Sequence, residues 1–338
     1  MSNTLKLRKG EKEEMKNRLC ETLGIEYPII QGAMAWTAMA PLVAAVSEAG
    51  GLGVLGSGFM PAEVLFEQAA IIRKATNKPF AANMFLDPGE QLDISSAAIV
   101  EAKIPVAYID TLNLLEYDLA KKYYNMMHNA GILVVAKINC LQDAFVAERA
   151  GADVIIAKGM EGGGHKSKIS GRVLLAEVVE NVFSVPIVAS GGIFTPRQLA
   201  GLIVQGADGC EMGSAFIATE ECAVHENVKN TIMKAQDIDI VAVGESTGEA
   251  SWQIKNKLAE KLLKIEAEYP REEAARMVIE KSAGSLRIAT IDGEVEHSGA
   301  IMVGQVGGLM NKVVPVSVLI KGLCEDAEVI LKKQYTVK

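Results

Sequence analysis

Short apolar runs rich in β-branched residues alternate along most of the chain with longer segments whose apolar positions recur at helical spacing. This alternation predicts parallel strand–helix units. The first run covers 28–32 (PIIQG) and leads into an apolar helix over about 38–49. Later runs cover 53–56, 79–85 and 106–109, with a helix from about Pro61 and another around 94–102. A fifth, 132–138, follows a helix stop at Gly131, and a sixth, 153–157, follows Ala150-Gly151. The runs 186–190 and 209–213 complete the series. Eight such units predict an α/β fold closed into a (β/α)8 TIM barrel. An open, doubly wound parallel sheet is the alternative, because it is built from the same units.

After the eighth unit the rhythm changes. Residues 250–282 are rich in Lys and Glu, and Ile254, Leu258, Leu262 and Ile265 recur at amphipathic-helix spacing. Pro270 is expected to separate that helix from a second one. The predicted division is a barrel of residues 18–245 plus 284–338, with a helical insertion near the C-terminus at 246–283. The insertion is either a solvated face packed on the barrel or a lid over the substrate. The tail returns to small residues over 298–305 before a final helix.

The 338 residues, 49% hydrophobic and 22% charged, can build a large core. Aromatic residues at 5% and a net charge of −8 argue against nucleic-acid binding. The most apolar stretch, 27–47, is broken by Gln31, Gly32, Thr37 and Pro41, so no membrane span is expected. The first twenty residues lack a signal-peptide core. Five scattered cysteines read as reduced thiols, and a cytoplasmic location is expected. No histidine pair has metal-ligand spacing, so no metal is predicted.

In barrels the chemistry sits at the C-terminal ends of the strands, with phosphate sites often after strands seven and eight. Those loops read Ser190-Gly191-Gly192-Ile193 and Met212-Gly213-Ser214-Ala215. They either cradle an anion or are simply tight turns. The loop after strand six, Lys158-Gly159-Met160-Glu161-Gly162-Gly163-Gly164-His165, spends three consecutive glycines. It suits backbone lying flat against a planar ring with His165 turned into the site to move protons. Asn83, polar within an apolar run, is a candidate contact to a ring edge or a structural hydrogen bond. Gln305 invites the same reading. Lys166 and Lys168 are candidate phosphate contacts or solvated lysines. His128 is expected at the surface and His225 at a turn. A non-redox barrel, a sugar-phosphate isomerase or aldolase-like enzyme, would rely on Lys137 and Glu211.

The segment Tyr27-Pro28-Ile29-Ile30-Gln31-Gly32-Ala33-Met34-Ala35-Trp36 resembles the start of flavin-dependent nitronate monooxygenases and type II enoyl-acyl-carrier-protein reductases. So do Gly50-Gly51-Leu52-Gly53, Gly159–His165, Ala189–Ile193 and Ile301–Gln305, in the same order along nearly the whole chain after about residue 18. The resemblance implies a barrel that binds FMN without a covalent bond. Gly32, Ala33, Met34 and Asn83 would meet the isoalloxazine, and Gly163 and Gly164 would lie along it. Gly191, Gly192, Gly213 and Ser214 would hold the phosphate. Lys137, Glu161, Ser190, Met212 and Gln305 complete the expected cofactor set, and His165 matches the family's proton-moving histidine.

The length, insertion and tail are more similar to the reductase branch, which implies NADH or NADPH as reductant, an acyl-thioester or other small-molecule substrate, acyl carrier protein as a candidate partner, and a homodimer. Gly162, Lys166-Ser167 and the segment Gly244–Gly248, which lacks that branch's second histidine, depart from its pattern and put the carrier-bound substrate in question. The monooxygenase branch, oxidising nitroalkanes or nitronates with O2, is the alternative.

Overall fold

In the computed structural model, residues 17–333 are described. Eleven strands are found among them: β1 (Ile29–Gln31), β2 (Leu52–Leu55), β3 (Phe80–Phe85), β4 (Val106–Asp110), β5 (Leu133–Ile138), β6 (Val154–Lys158), β7 (Gly164–His165), β8 (Ile187–Ser190), β9 (Gly209–Met212), β10 (Ile240–Val243) and β11 (Ser251–Ile254). Strands β1 to β6, β8 and β9 are parallel neighbours in a closed barrel. Closure is made by β1 on β9, with Ile30 opposite Glu211. The eight-unit barrel expectation is met, and the open-sheet alternative falls with that closing pair.

Strand parity explains what fills the barrel. Successive side chains alternate between the two faces of a strand. Ile30, Val54, Ala81, Val106, Val135, Val154, Ile156 and Val188 pack in one buried cluster inside the barrel. The helix Arg18–Leu23 plugs the lower end, sending Leu19 and Leu23 into that cluster. Asn17 caps this helix by accepting from the Cys20 N–H at 3.1 Å. The alternate positions, among them Ile29, Ala82, Ala107, Val134, Ala136 and Ile155, join the larger core beneath the surrounding helices. Because both faces are buried, these strands read as unbroken apolar runs.

The C-terminal excursion is built differently. Strands β10 and β11 form an antiparallel pair, and β11 also pairs with β7, placing Ser251 opposite His165 and Trp252 opposite Gly164. The helices Lys257–Glu268 and Arg271–Ser282 follow, separated at Pro270. Leu258, Leu262 and Ile265 turn inward with Val243, Ala274 and Val278 to make a small core of their own. Ile254, expected on the same helical face, is instead the last residue of β11. Asn256 accepts from the Ala259 N–H at 2.9 Å and starts the helix after it. The tail then returns along β11: the Ile254 N–H donates to the Ile301 carbonyl and the Val303 N–H to the Trp252 carbonyl. The final helix, Val316–Leu331, packs beside the helix Pro196–Val204.

Candidate active site

The parity that turns Val106 and Tyr108 inward turns Asp110 inward as well. The same count places Lys137 above Val135, Lys158 above Ile156 and Ser190 above Val188. A polar layer therefore sits on the apolar filling at the C-terminal end of the barrel. Glu211 is its hub: Oε1 accepts from Lys137 Nζ at 3.1 Å and from the Ser190 hydroxyl at 3.1 Å, and Oε2 accepts from the Tyr108 hydroxyl at 2.6 Å. Asp110 Oδ2 stands 3.8 Å from the same Lys137 nitrogen. Burial alone would depress the Lys137 ammonium, but the charges of Glu211 and Asp110 outweigh it and hold its pKa above the ordinary value. Burial and Glu211 push the Tyr108 phenol well up, so it stays a proton donor.

A cavity of about 710 Å3 opens above this layer, within the range of roughly 300–1,000 Å3 usual for cofactor sites. Backbone lines much of it. The loop after β8 turns through Gly191 at φ +102°, where a Cβ would stand 2.8 Å from the Gly162 nitrogen. Only glycine permits both that dihedral and that approach. Gln198 fixes the turn: its Oε1 accepts from the Phe194 and Thr195 N–H groups and its Nε2 donates to the Gly192 carbonyl at 2.7 Å. After β9, the Ser214 hydroxyl oxygen accepts from the Gly304 N–H at 2.8 Å, which binds the tail to the cradle.

The loop after β6 is clamped on several sides. Lys158 Nζ donates to the His165 carbonyl at 2.6 Å, Trp252 Nε1 donates to the Met160 carbonyl at 2.6 Å, and the Lys166 N–H donates to the Ala250 carbonyl at 2.7 Å. The His165 side chain stays 48% exposed and its Nε2 lies 3.7 Å from Glu249 Oε2. Burial and the nearby Lys158 charge lower its pKa below the ordinary 6.5, with Glu249 opposing. At neutral pH the imidazole is therefore neutral and able to accept a proton.

Comparison with known proteins sets this geometry in context. The model of the family described as nitronate monooxygenase matches residues 16–326. The chain belongs to the nitronate monooxygenase family. A probable nitronate monooxygenase of Staphylococcus aureus (strain JH9) is 28% identical over 313 residues, covering 80% of this chain and 88% of that protein. FabK from Thermotoga maritima superposes with a TM-score of 0.86 at 34% identity, over 94% of this chain and 97% of its own. Nitroalkane oxidase from Streptomyces ansochromogenes, 24% identical over 92% of this chain and 98% of its own with a TM-score of 0.76, shares the fold. The protein is accordingly an enzyme, an FMN-dependent oxidoreductase, and not a sugar-phosphate barrel.

In this member of the nitronate monooxygenase family, most of the expected contacts converge on the cavity. Gly32, Ala33, Met34, Lys137, Gly163 and Gly164 line it, as do His165, Ser190, Gly191, Gly192, Met212, Gly213 and Ser214. Three others stand elsewhere. Asn83 is buried below it, accepting from the Gly58 N–H at 3.1 Å and donating to the Met84 carbonyl at 3.3 Å. Glu161 receives the Gly171 N–H on its carboxylate, and its carbonyl accepts from the Gln305 N–H. Gln305 itself is exposed.

The loop lysine Lys166 pairs with Glu245 at 2.5 Å. His128 lies at the surface against Asp153, and His225 accepts from the Asn227 N–H at the start of the helix Glu226–Ile232. Reading the sequence missed Asp110, Lys158, Tyr108 and Glu249. The signal for the first two was a charged residue closing an apolar strand at inward parity. Glu249 carried none, because a short antiparallel sheet brings it to His165.

Proposed function

We propose that the protein is an FMN-dependent reductase of enoyl thioesters that draws electrons from NADH or NADPH. One observation carries the reading: besides the glycine cradle, the cavity has a wall, most of it supplied by the excursion, that holds the apolar Val243, Val278, Ile279, Leu286 and Met302 among polar residues such as Thr247, Gln253 and Arg287. Such a wall suits an extended acyl chain, and a small nitroalkane would leave most of it unfilled.

The residues present fit the flavin. The backbone at Gly191, Gly192 and Gly213, with the Ser214 hydroxyl, would receive its phosphate. Gly163 and Gly164 would lie along the ring, where no atom stands within 4 Å of a Cβ built on Gly164. Lys137, kept cationic by Glu211, would meet a ring edge that gains negative charge. A flavin held there would supply the hydride chemistry that links a nicotinamide to the β-carbon of the substrate. His165, carried on the clamped loop, would move a proton at the α-carbon. Asp110 and Glu211 flank Lys137 and keep it charged.

Oxidation of nitroalkanes with O2 is the second reading, and the neutral imidazole of His165 favours it, because that reaction begins with proton removal. Anaerobic mixing decides between the two. Bleaching of the flavin absorbance by NADH or NADPH, followed by its return on adding an enoyl thioester, supports the reductase. A protein that ignores both pyridine nucleotides but is bleached by a nitronate is not one.

A further inference from the structure

Lys158 has no task in the chemistry above, yet its surroundings are unlike those of any other lysine described. It closes β6, lines the cavity and is 8% exposed. Its ammonium makes one hydrogen bond, to the neutral main-chain carbonyl of His165 at 2.6 Å, and no carboxylate pairs with it among the described residues. Lys137, its neighbour on β5, has Glu211 at 3.1 Å and Asp110 at 3.8 Å. An ammonium carries three donors, so two remain without a protein acceptor beside the imidazole. Anchoring a loop carbonyl needs only a neutral donor. A buried positive charge lacking a direct counter-ion is costly, and it points to an anionic group supplied from the cavity.

We propose that Lys158 is a catalytic residue that holds the oxygen of the substrate on which negative charge collects, beside His165. The proposal rests on the oxidoreductase reading above and serves either branch. When hydride from the nicotinamide forms the new C–H bond at the β-carbon of an enoyl thioester, the C=C pair shifts to form an enolate with its charge on the thioester oxygen. A proton delivered to the α-carbon returns the pair and restores the carbonyl. When His165 takes the α-proton of a nitroalkane, the C–H pair becomes a C=N bond and the displaced N=O pair settles on a nitro oxygen. In both cases the charge appears on an oxygen two bonds from the carbon His165 serves. A fixed cation there stabilises the charged form more than the neutral substrate, which is the condition for lowering a barrier.

The surroundings of Lys158 set a distinct pH range for the effect. Burial, with the Lys137 charge adding to it, lowers its pKa from 10.5 to about 8. The other groups facing it are Asp110 from β4, Ser190 and Glu211 from β8 and β9, and His165, with Glu249 behind it. His165 titrates below its ordinary 6.5, while Lys137 and Tyr108 titrate above their ordinary 10.5 and 10.0. Anion binding that fades as the pH rises through about 8, or somewhat higher once the anion itself favours the ammonium, is therefore assigned to Lys158.

Calorimetric titration of the FMN-loaded protein with sodium nitrate, at constant ionic strength, tests this. Nitrate is a planar anion of the right oxygen geometry. Wild-type affinity should fall at least about tenfold between about pH 7 and pH 9.5. Lys158→Gln should cost at least about tenfold at the lower pH and remove the pH dependence. Lys158→Arg should bind nitrate across the whole range, because guanidinium does not titrate there. Nitrate binding by Lys158→Gln within about twofold of wild type would falsify the assignment, as would a wild-type protein that binds no nitrate or binds it with no such pH loss. If Lys158→Gln fails to fold, the contrast between wild type and Lys158→Arg decides. Flavin absorbance in the same samples separates the two failures. A protein that loads and reduces FMN but is indifferent at residue 158 loses only this proposal, whereas one that takes up no FMN loses the underlying reading.

Discussion

At the scale of single residues, His165 and Glu211 divide the labour of the site. Replacing His165 with Ala removes a half-exposed ring whose loop is held by main-chain bonds and by Lys158, Trp252 and Lys166. Flavin content should therefore stay near wild type while kcat falls about 10²- to 10⁴-fold, the usual worth of a positioned proton-transfer group. Equal kcat in the variant would remove its role. Glu211→Gln is expected to act on the whole protein: it leaves the buried Lys137 cation with only Asp110 at 3.8 Å. Breaking a buried pair by removing one partner costs about 3–5 kcal/mol, which a denaturant titration reads directly. The glycine run before His165 could be read from the sequence because its composition is abnormal for a connection. Placing Asp110 and Lys158 beside Lys137 needed a count of strand parity carried to the end of each strand, and apolar runs do not advertise parity when both faces are buried.

At the scale of elements, single side chains hold turns in place. Gln198 organises the loop after β8 while completing a reciprocal cap with Thr195 at the start of the helix Pro196–Val204. Gln198→Ala should cost about 1 kcal/mol of stability, as lost caps do, and weaken FMN binding as well, measurable by flavin fluorescence on dilution. A loss of stability with unchanged FMN affinity would show that the turn does not depend on it. Glu294 does the same for 294–299: its carboxylate accepts from the Ser298 hydroxyl and from the N–H groups of Glu296, His297, Ser298 and Gly299. The Ser298 hydroxyl first, and then the His297 N–H, lower its pKa from 4.5 to about 2. A depressed folded-state carboxyl stabilises above its unfolded value, and that contribution disappears as the pH falls from about 4.5 towards 2. Glu294→Gln should flatten this part of the stability–pH curve while lowering stability at neutral pH. The eight barrel strands were legible because each is a bounded apolar run. The pairing of β7 with β11 was not, since a two-residue strand of Gly and His has no periodicity, and Ile254 fell on the wrong element because β-strand and helix spacing overlap near a cap.

At the scale of the whole molecule, the barrel is a scaffold whose upper rim is finished by segments far apart in the chain. The eight strands and the two clusters they pack into follow from apolar patterning, while the plug of Arg18–Leu23 and the closing pair of β1 on β9 come from the structure. The rim does not follow from patterning either, because its contacts join loops rather than faces. A cofactor bound among those loops favours the native state by mass action, about 2.7 kcal/mol at a hundredfold excess over Kd. Added FMN should therefore raise Tm in proportion to the logarithm of its concentration, and a Tm indifferent to FMN would place the binding residues elsewhere. The hydrogen bond from Gly304 to Ser214 and the run of the tail along β11 have a temporal side. During translation the cylinder can close once β9 has emerged, but the seat for the prosthetic group waits on residues made some ninety positions later. A nascent polypeptide halted before Ile301 would thus be a folded vessel without its rim, and holoenzyme maturation waits until that segment has emerged.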